Sequence, residues 1–171
     1  PVRGRWFADE YARFAVRAAD VGPRRRIAQV SDVRTRVPAA RDVLPALGAG
    51  PYAVIVPGGA RNALRETPQR RWPVARYVAI AQALIASGLQ VVLIGDEADR
   101  ALAPAFETLP IVDALGTLPI AGSLGVLASA AVVVSHDTGP MHLARLVRAP
   151  LVALFGPTSP ADFLGEEDER T

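Results

Sequence analysis

The chain has 171 residues, half of them hydrophobic and about a fifth charged, which is a globular composition long enough for one domain with its own core, or one domain plus a fragment of another. It contains no cysteine, and this excludes disulfides, thiolate metal sites and cysteine nucleophiles. The net charge of +2 comes from scattered arginines with no lysine at all, too small an excess to argue for nucleic acid, and no apolar run is long enough to span a bilayer.

Trp6, Tyr11, Phe14, Ala15 and Ala18 recur at helical spacing and predict an amphipathic helix over 6–19. From Val21 to Ala49 proline and arginine are frequent and periodicity is weak, so this stretch reads as a connecting region with one short helix near Ala39 to Leu47. The repeating part begins with a strand at Tyr52–Val56, stopped by Pro57, Gly58 and Gly59. A polar and basic loop leads to Trp72, and Pro73 opens a helix whose Tyr77, Ala81, Leu84 and Ile85 share a face until Gly88 ends it. A strand follows at Gln90–Ile94, then a helical stretch over Glu97–Phe106, a short strand at Ile111–Ala114, and a helix over Pro119–Ala128 weakened by Gly122 and Gly125. Ala131–Val134 form a β-branched strand that runs into Ser135-His136-Asp137-Thr138-Gly139-Pro140 and a helix carrying Met141, Leu143, Ala144, Leu146 and Val147. Leu151–Phe155 is the last strand, closed by Gly156 and Pro157.

Five strands alternating with four helices predict an α/β fold, a Rossmann-like parallel sheet with helices on both faces. The strand ends of such a sheet converge on one rim, where ligands bind. Here they carry Gly58 and Gly59, Gly95 to Glu97, Gly116 and Thr117, Ser135 to Gly139, and Gly156 to Thr158. The helix that begins beyond Gly139 aims its free N–H groups and its dipole across the turn, which makes an anion site.

The familiar phosphate loops do not fit. A Walker loop requires a lysine, and the three spaced glycines of a dinucleotide fold are absent after the first strand. Ser135, His136 and Asp137 are the residue types of a hydrolase triad, but three consecutive residues cannot align as nucleophile, base and orienter. Asp137-Thr138-Gly139 matches the aspartic protease tripeptide, yet occurs once, outside a β-rich context. A metal held by His136, Asp137 and His142 is disfavoured because neighbouring strand residues point to opposite sides. Asp137 either accepts hydrogen bonds from ligand hydroxyls or caps the helix. His142 is either a packing residue on the first helical turn or a donor to phosphate or sugar. Arg61, Arg65, Arg70 and Arg71 lie in the loop after the first strand, where an arginine fork could clamp a diphosphate. Trp72 would anchor Arg70 and Arg71.

These residues, in this order, resemble the C-terminal half of the heptosyltransferases of glycosyltransferase family 9. The matching stretches are Val56-Pro57-Gly58-Gly59-Ala60, Arg70-Arg71-Trp72-Pro73, Val92-Leu93-Ile94-Gly95 with Asp99, Leu115-Gly116-Thr117-Leu118, Ser135 through Ala144, and Ala153 through Pro160. The resemblance implies one half of a GT-B arrangement that transfers heptose from ADP-heptose to a lipopolysaccharide core acceptor, with inversion and without a metal or other cofactor. It implies that Gly59, Arg70, Asp99, Leu118, Asp137, Thr138, Gly139 and His142 bind the nucleotide sugar. Asp99, or in second place Glu97, would lie near the ribose and Leu118 against the base, and Arg70 stands where the family often has a lysine.

By the same resemblance, residues 1–22 would be a helix left from an N-terminal acceptor domain, 23–50 a connection, 51–163 the nucleotide-sugar-binding domain, and 164–171 an acidic tail. The catalytic base would belong to the other half, so the chain as given is expected to bind donor without turnover. The implied partners are the nucleotide sugar and a lipid-linked saccharide acceptor. The implied location is the cytoplasm, peripheral at the inner membrane face. Two other readings stay open on the residues alone: a stand-alone nucleotide-binding or interaction module without transferase activity, and another sugar-nucleotide enzyme of the same architecture such as an epimerase.

Overall fold

The computed structural model describes residues 31–34, 36–59 and 68–160. The helix expected over 6–19, Arg61, Arg65 and the acidic tail lie outside the described residues.

Two short helices come first, α1 (Ser31–Arg34) and α2 (Ala40–Val43). The alternating part then runs β1 (Tyr52–Val56), a 3-10 turn (Pro68–Arg70), α3 (Val74–Ala86), β2 (Gln90–Gly95), a 3-10 helix (Glu97–Phe106), β3 (Ile111–Leu115), α4 (Ile120–Ala128), β4 (Val132–His136), α5 (Gly139–Leu146) and β5 (Leu151–Leu154). The five strands form one sheet in the order β3-β2-β1-β4-β5, and every pairing is parallel. β1 is central because all five of its residues are apolar and buried, the pattern of a strand covered on both faces.

The sheet separates two cores. On one face Val54, Val56, Val92, Ile94 and Val133 pack with Ala40, Leu44, Leu47, Leu127, Met141 and Ala144. On the other, Ile55, Leu93 and Val134 pack with Tyr77, Ala81 and Phe106. Alternation along the strands sends successive side chains to opposite faces, so helices cover both. Residues 36–50 do more than connect: Ala40, Leu44 and Leu47 are core residues, and Arg41 fastens the segment by donating to the carbonyls of Gly48, Ala49 and Gly50.

Three elements differ from the sequence-based expectation. The 97–106 segment is a 3-10 helix; Pro104 lies inside it and removes a donor that an α-helix would need. The helix near 39–47 shortens to Ala40–Val43. β4 extends two residues beyond Val134, because Ser135 and His136 pair with Ala153 and Leu154 of β5. This extension carries the chain directly into the turn that organises the site.

Candidate functional site

In strand order 3-2-1-4-5 the connections leave β1 in opposite directions, and the crevice beyond the carboxyl ends of β1 and β4 is the switch point where α/β sheets bind ligands. The loops after both strands meet there. Gly59, after β1, has φ +100°, and a Cβ on it would stand 3.0 Å from the Thr138 methyl group after β4. Only glycine lets the two loops lie this close.

Thr138 is the N-cap of α5, Gly139 its first residue and Pro140 its second. Proline is tolerated at this end because the first amides have no partner within their own helix. The amides of Thr138, Gly139 and Met141 therefore form the positive end of α5. Gly139 is exposed, and a Cβ placed on it would meet nothing within 4 Å among the described residues. At Gly139 no described residue covers this end of the helix.

Asp137 does not cap this helix. It is 1% exposed, and its Oδ2 takes an ion pair from Arg70 and a 2.8 Å hydrogen bond from the Thr158 hydroxyl. Three chain segments meet on one oxygen: the turn before α3, the end of β4 and the loop after β5. Oδ1 of Asp137 is buried and has no partner among the described residues. The Arg70 side chain keeps 24% of its surface exposed, so the guanidinium bridges the buried carboxylate and the solvent side of the rim.

Asp99 is 5% exposed, and both its oxygens are taken by backbone amides. Gly59 N–H donates to Oδ1 at 2.8 Å and Asp96 N–H to Oδ2 at 3.0 Å. The second bond is half of a reciprocal cap, since Asp99 N–H donates to Asp96 Oδ1 at 3.0 Å. Glu97, the second choice for the ribose contact, is the exposed carboxylate at this position, with 76% of its side chain open beside Gly116. Leu118 is half-buried beyond β3, packed against the larger core. His142 is exposed on the first turn of α5. Partial desolvation lowers its pKa from the ordinary value, with Arg145 adding to the effect and Asp137 opposing it. Gly59 and Asp99 thus form one bonded group and Arg70 and Asp137 another, with Thr138, next to Asp137 in the chain, lying against Gly59. Gly139 and His142 flank them on α5, and Leu118 stands apart at the β3 end.

Sequence reasoning left the buried pair His136 and Tyr77 out of the site and did not see how two rim residues bond into it. Thr158, placed on the rim by the sequence, bonds to Asp137, and Arg71, expected in the arginine fork, instead donates from Nε to the Gly59 carbonyl at 2.9 Å. His136 is fully buried, and its Nδ1 shares a 2.8 Å hydrogen bond with the Tyr77 hydroxyl. Trp72 packs edge-on against Tyr77 at 5.3 Å, which anchors the end of the arginine turn. Burial lowers the His136 pKa to about 4, helped by Arg70 and opposed by Asp137, so the imidazole is neutral near pH 7. Among the described residues no three His, Asp or Glu side chains gather to hold a metal ion.

A parallel sheet with a polar, cation-bearing rim at its switch point is the arrangement in which doubly wound α/β domains bind their ligands. The sequence model of glycosyltransferase family 9 (heptosyltransferase) matches residues 15–168, and the chain belongs to that family. It is similar to lipooligosaccharide heptosyltransferase 2 of Haemophilus influenzae, 35% identical over 100 residues, which cover 54% of this chain and 29% of that protein. Lipopolysaccharide heptosyltransferase 2 of Escherichia coli K12 is equally similar, 35% over 100 residues, with the same coverage of 54% and 29%. The solved E. coli ADP-heptose lipopolysaccharide heptosyltransferase II superposes with a TM-score of 0.65 at 26% identity, over 84% of this chain and 42% of that one. The match thus spans less than half the length of each of these relatives.

Proposed function

We propose that the rim beyond β1 and β4 binds the ADP-heptose donor of a heptosyltransferase, and that the whole enzyme transfers the heptose to a lipopolysaccharide core saccharide with inversion. The observation that carries this reading is Arg70 held by buried Asp137 next to the open N-terminus of α5. A diphosphate needs positive charge at two points, and here a guanidinium and a helix end supply it from two different loops. Charge developing on the departing diphosphate meets the same groups. With these cations in place the donor needs no metal.

The remaining assignments follow from exposure. His142 and the Thr138 and Gly139 amides face the phosphates and the sugar. Glu97 takes the ribose hydroxyls, because its carboxylate is open whereas that of Asp99 is spent on backbone amides. Leu118 lies on the side of the base. Asp137 holds Arg70 through Oδ2 and offers Oδ1 to a sugar hydroxyl. The base that activates the acceptor is assigned to the rest of the enzyme, as is the docking of a lipid-linked acceptor at the membrane face. No helix among the described residues is long and apolar enough to cross a membrane.

Calorimetric titration of the chain with ADP and with ADP-heptose, with and without chelator, tests the reading. Saturable binding of both, unchanged by chelator, is expected. No binding by folded protein at millimolar ligand overturns it, and binding of ADP with no response to the sugar points to a nucleotide-binding module instead. Arg70→Ala should weaken ADP binding by roughly tenfold or more, the size of one lost charge-assisted contact. Asp137→Ala should cost ADP-heptose more than ADP; equal losses would remove the sugar contact from Asp137 and leave it only the role of holding Arg70.

A further inference from the structure

We propose that Asp99 is a positioning residue for the donor's phosphates, acting from the neighbouring strand through the Gly59 peptide, and not a ribose ligand. The inference rests on the donor reading above and deepens it. The Gly59 peptide is held at both ends. Its N–H donates to Asp99 Oδ1 at 2.8 Å, and its carbonyl accepts from Arg71 Nε at 2.9 Å. Between these two charged side chains Gly59 turns its α-carbon toward Thr138, so closely that a Cβ there would stand 3.0 Å from the Thr138 methyl group. Thr138 is the N-cap of α5, so the chain of contacts runs from Asp99 through Gly59 to the helix end that meets the phosphates. Arg71 adjoins Arg70 in the chain, and the same peptide therefore also sets where the second cationic group stands.

The room for this strut is made by glycines. A Cβ on Gly58 would fall inside the Asp99 carboxyl group, and one on Gly95 would come within 2.6 Å of Asp99 Oδ2. The carboxylate occupies a slot between the loops after β1 and β2, with 5% of its residue surface exposed. Its second oxygen closes the reciprocal cap with Asp96, which fixes the carboxyl plane. A carboxylate with an amide on each oxygen and only 5% of its residue exposed is poorly placed to reach a ribose. It has a great deal to do with where Gly59 lies.

The two roles separate by ligand. Asp99→Asn keeps the size but sets an amino group against a backbone N–H, and Gly58→Ala displaces the carboxylate without changing it. Both variants should bind ADP about tenfold more weakly and adenosine within about twofold of the wild type, since one charge-assisted hydrogen bond is lost on the phosphate side alone. Glu97→Gln should weaken both ligands alike. Amide NMR spectra of the ligand-free chain should show the Gly59 and Thr138 resonances shifted in both Asp99→Asn and Gly58→Ala. Equal losses for adenosine and ADP in Asp99→Asn would make Asp99 a ribose ligand and overturn the proposal. So would an unshifted Thr138 amide in either folded variant. If the wild-type chain binds no ADP, the donor reading falls, and the ligand-free spectra alone then decide whether Asp99 controls Thr138.

Discussion

At the scale of single residues, the site depends on polar groups buried in pairs. A buried carboxylate or imidazole is tolerated only when its atoms are bonded. Asp99 meets this condition at both oxygens through two amides, whereas Asp137 meets it at Oδ2 through Arg70 and Thr158 and His136 at Nδ1 through Tyr77, leaving Asp137 Oδ1 and His136 Nε2 without a partner among the described residues. His136 adds a pH signature. Its folded pKa of about 4 lies below the ordinary 6.5, so the unfolded chain binds the extra proton first as pH falls. Stability is complete above pH 6.5 and is lost as pH drops toward 4, and integrating over that interval gives on the order of 3 kcal/mol. Urea melts at pH 7.5 and pH 4 should therefore show His136→Gln losing less stability than wild type by about that amount. An equal loss in the two proteins would mean that the buried imidazole is already charged or already solvated. The same residue escaped sequence reasoning as a site component because a histidine at the end of a strand has no local mark of its partner; Tyr77 lies 59 residues away.

Among the elements, α4 shows how a local rule can be right about cost and silent about purpose. Gly122 and Gly125 lower helix propensity. Yet both are buried, and a Cβ on Gly125 would land on the Pro38 carbonyl oxygen. The glycines let α4 approach the 36–50 segment and α2 closely, and this contact closes one of the two cores. Gly125→Ala should improve intrinsic helix propensity and still destabilise the protein by roughly 1–3 kcal/mol, because the backbone it strikes cannot rotate away. Thermal denaturation checks the sign; a higher melting temperature would show that the segment is free to move. The 3-10 helix over 97–106 teaches the complementary lesson. A helical stretch over Glu97–Phe106 was expected from the sequence, but not its 3-10 geometry or the reciprocal cap that places Asp99 under Gly59.

For the whole molecule, the central position of β1 decides both stability and function. β1 bonds to β2 and β4 along its length, and its residues are buried on both faces, whereas β3 and β5 are edges and β5 leaves Val152 48% exposed. Hydrogen exchange in the native state should be slowest in β1 and in the flanking parts of β2 and β4, and faster in β3 and β5, since edge strands open at lower free energy. Protection greatest in β5 would contradict the sheet order. Placing β1 beside β4 also opens the crevice in which the loops bearing Gly59 and Asp137 meet, so the strand that anchors the core also locates the site.

From the amino-acid order alone came the alternating α/β pattern, the parallel sheet with helices on both faces, the polar turn at Asp137-Thr138-Gly139 with its helix start, and the likeness to glycosyltransferase family 9. These are properties of spacing and short motifs, and local chain physics encodes them in neighbouring residues. The tertiary structure decided which acidic side chains hold the scaffold and which stand open: Asp99 under Gly59, Asp137 on Arg70 and Thr158, Glu97 toward solvent. The physical reason is separation along the chain. Asp99 and Gly59 are 40 residues apart and Tyr77 and His136 are 59 apart, so no periodicity or motif can announce the pairing, and only the folding of the sheet brings the charges within reach of each other.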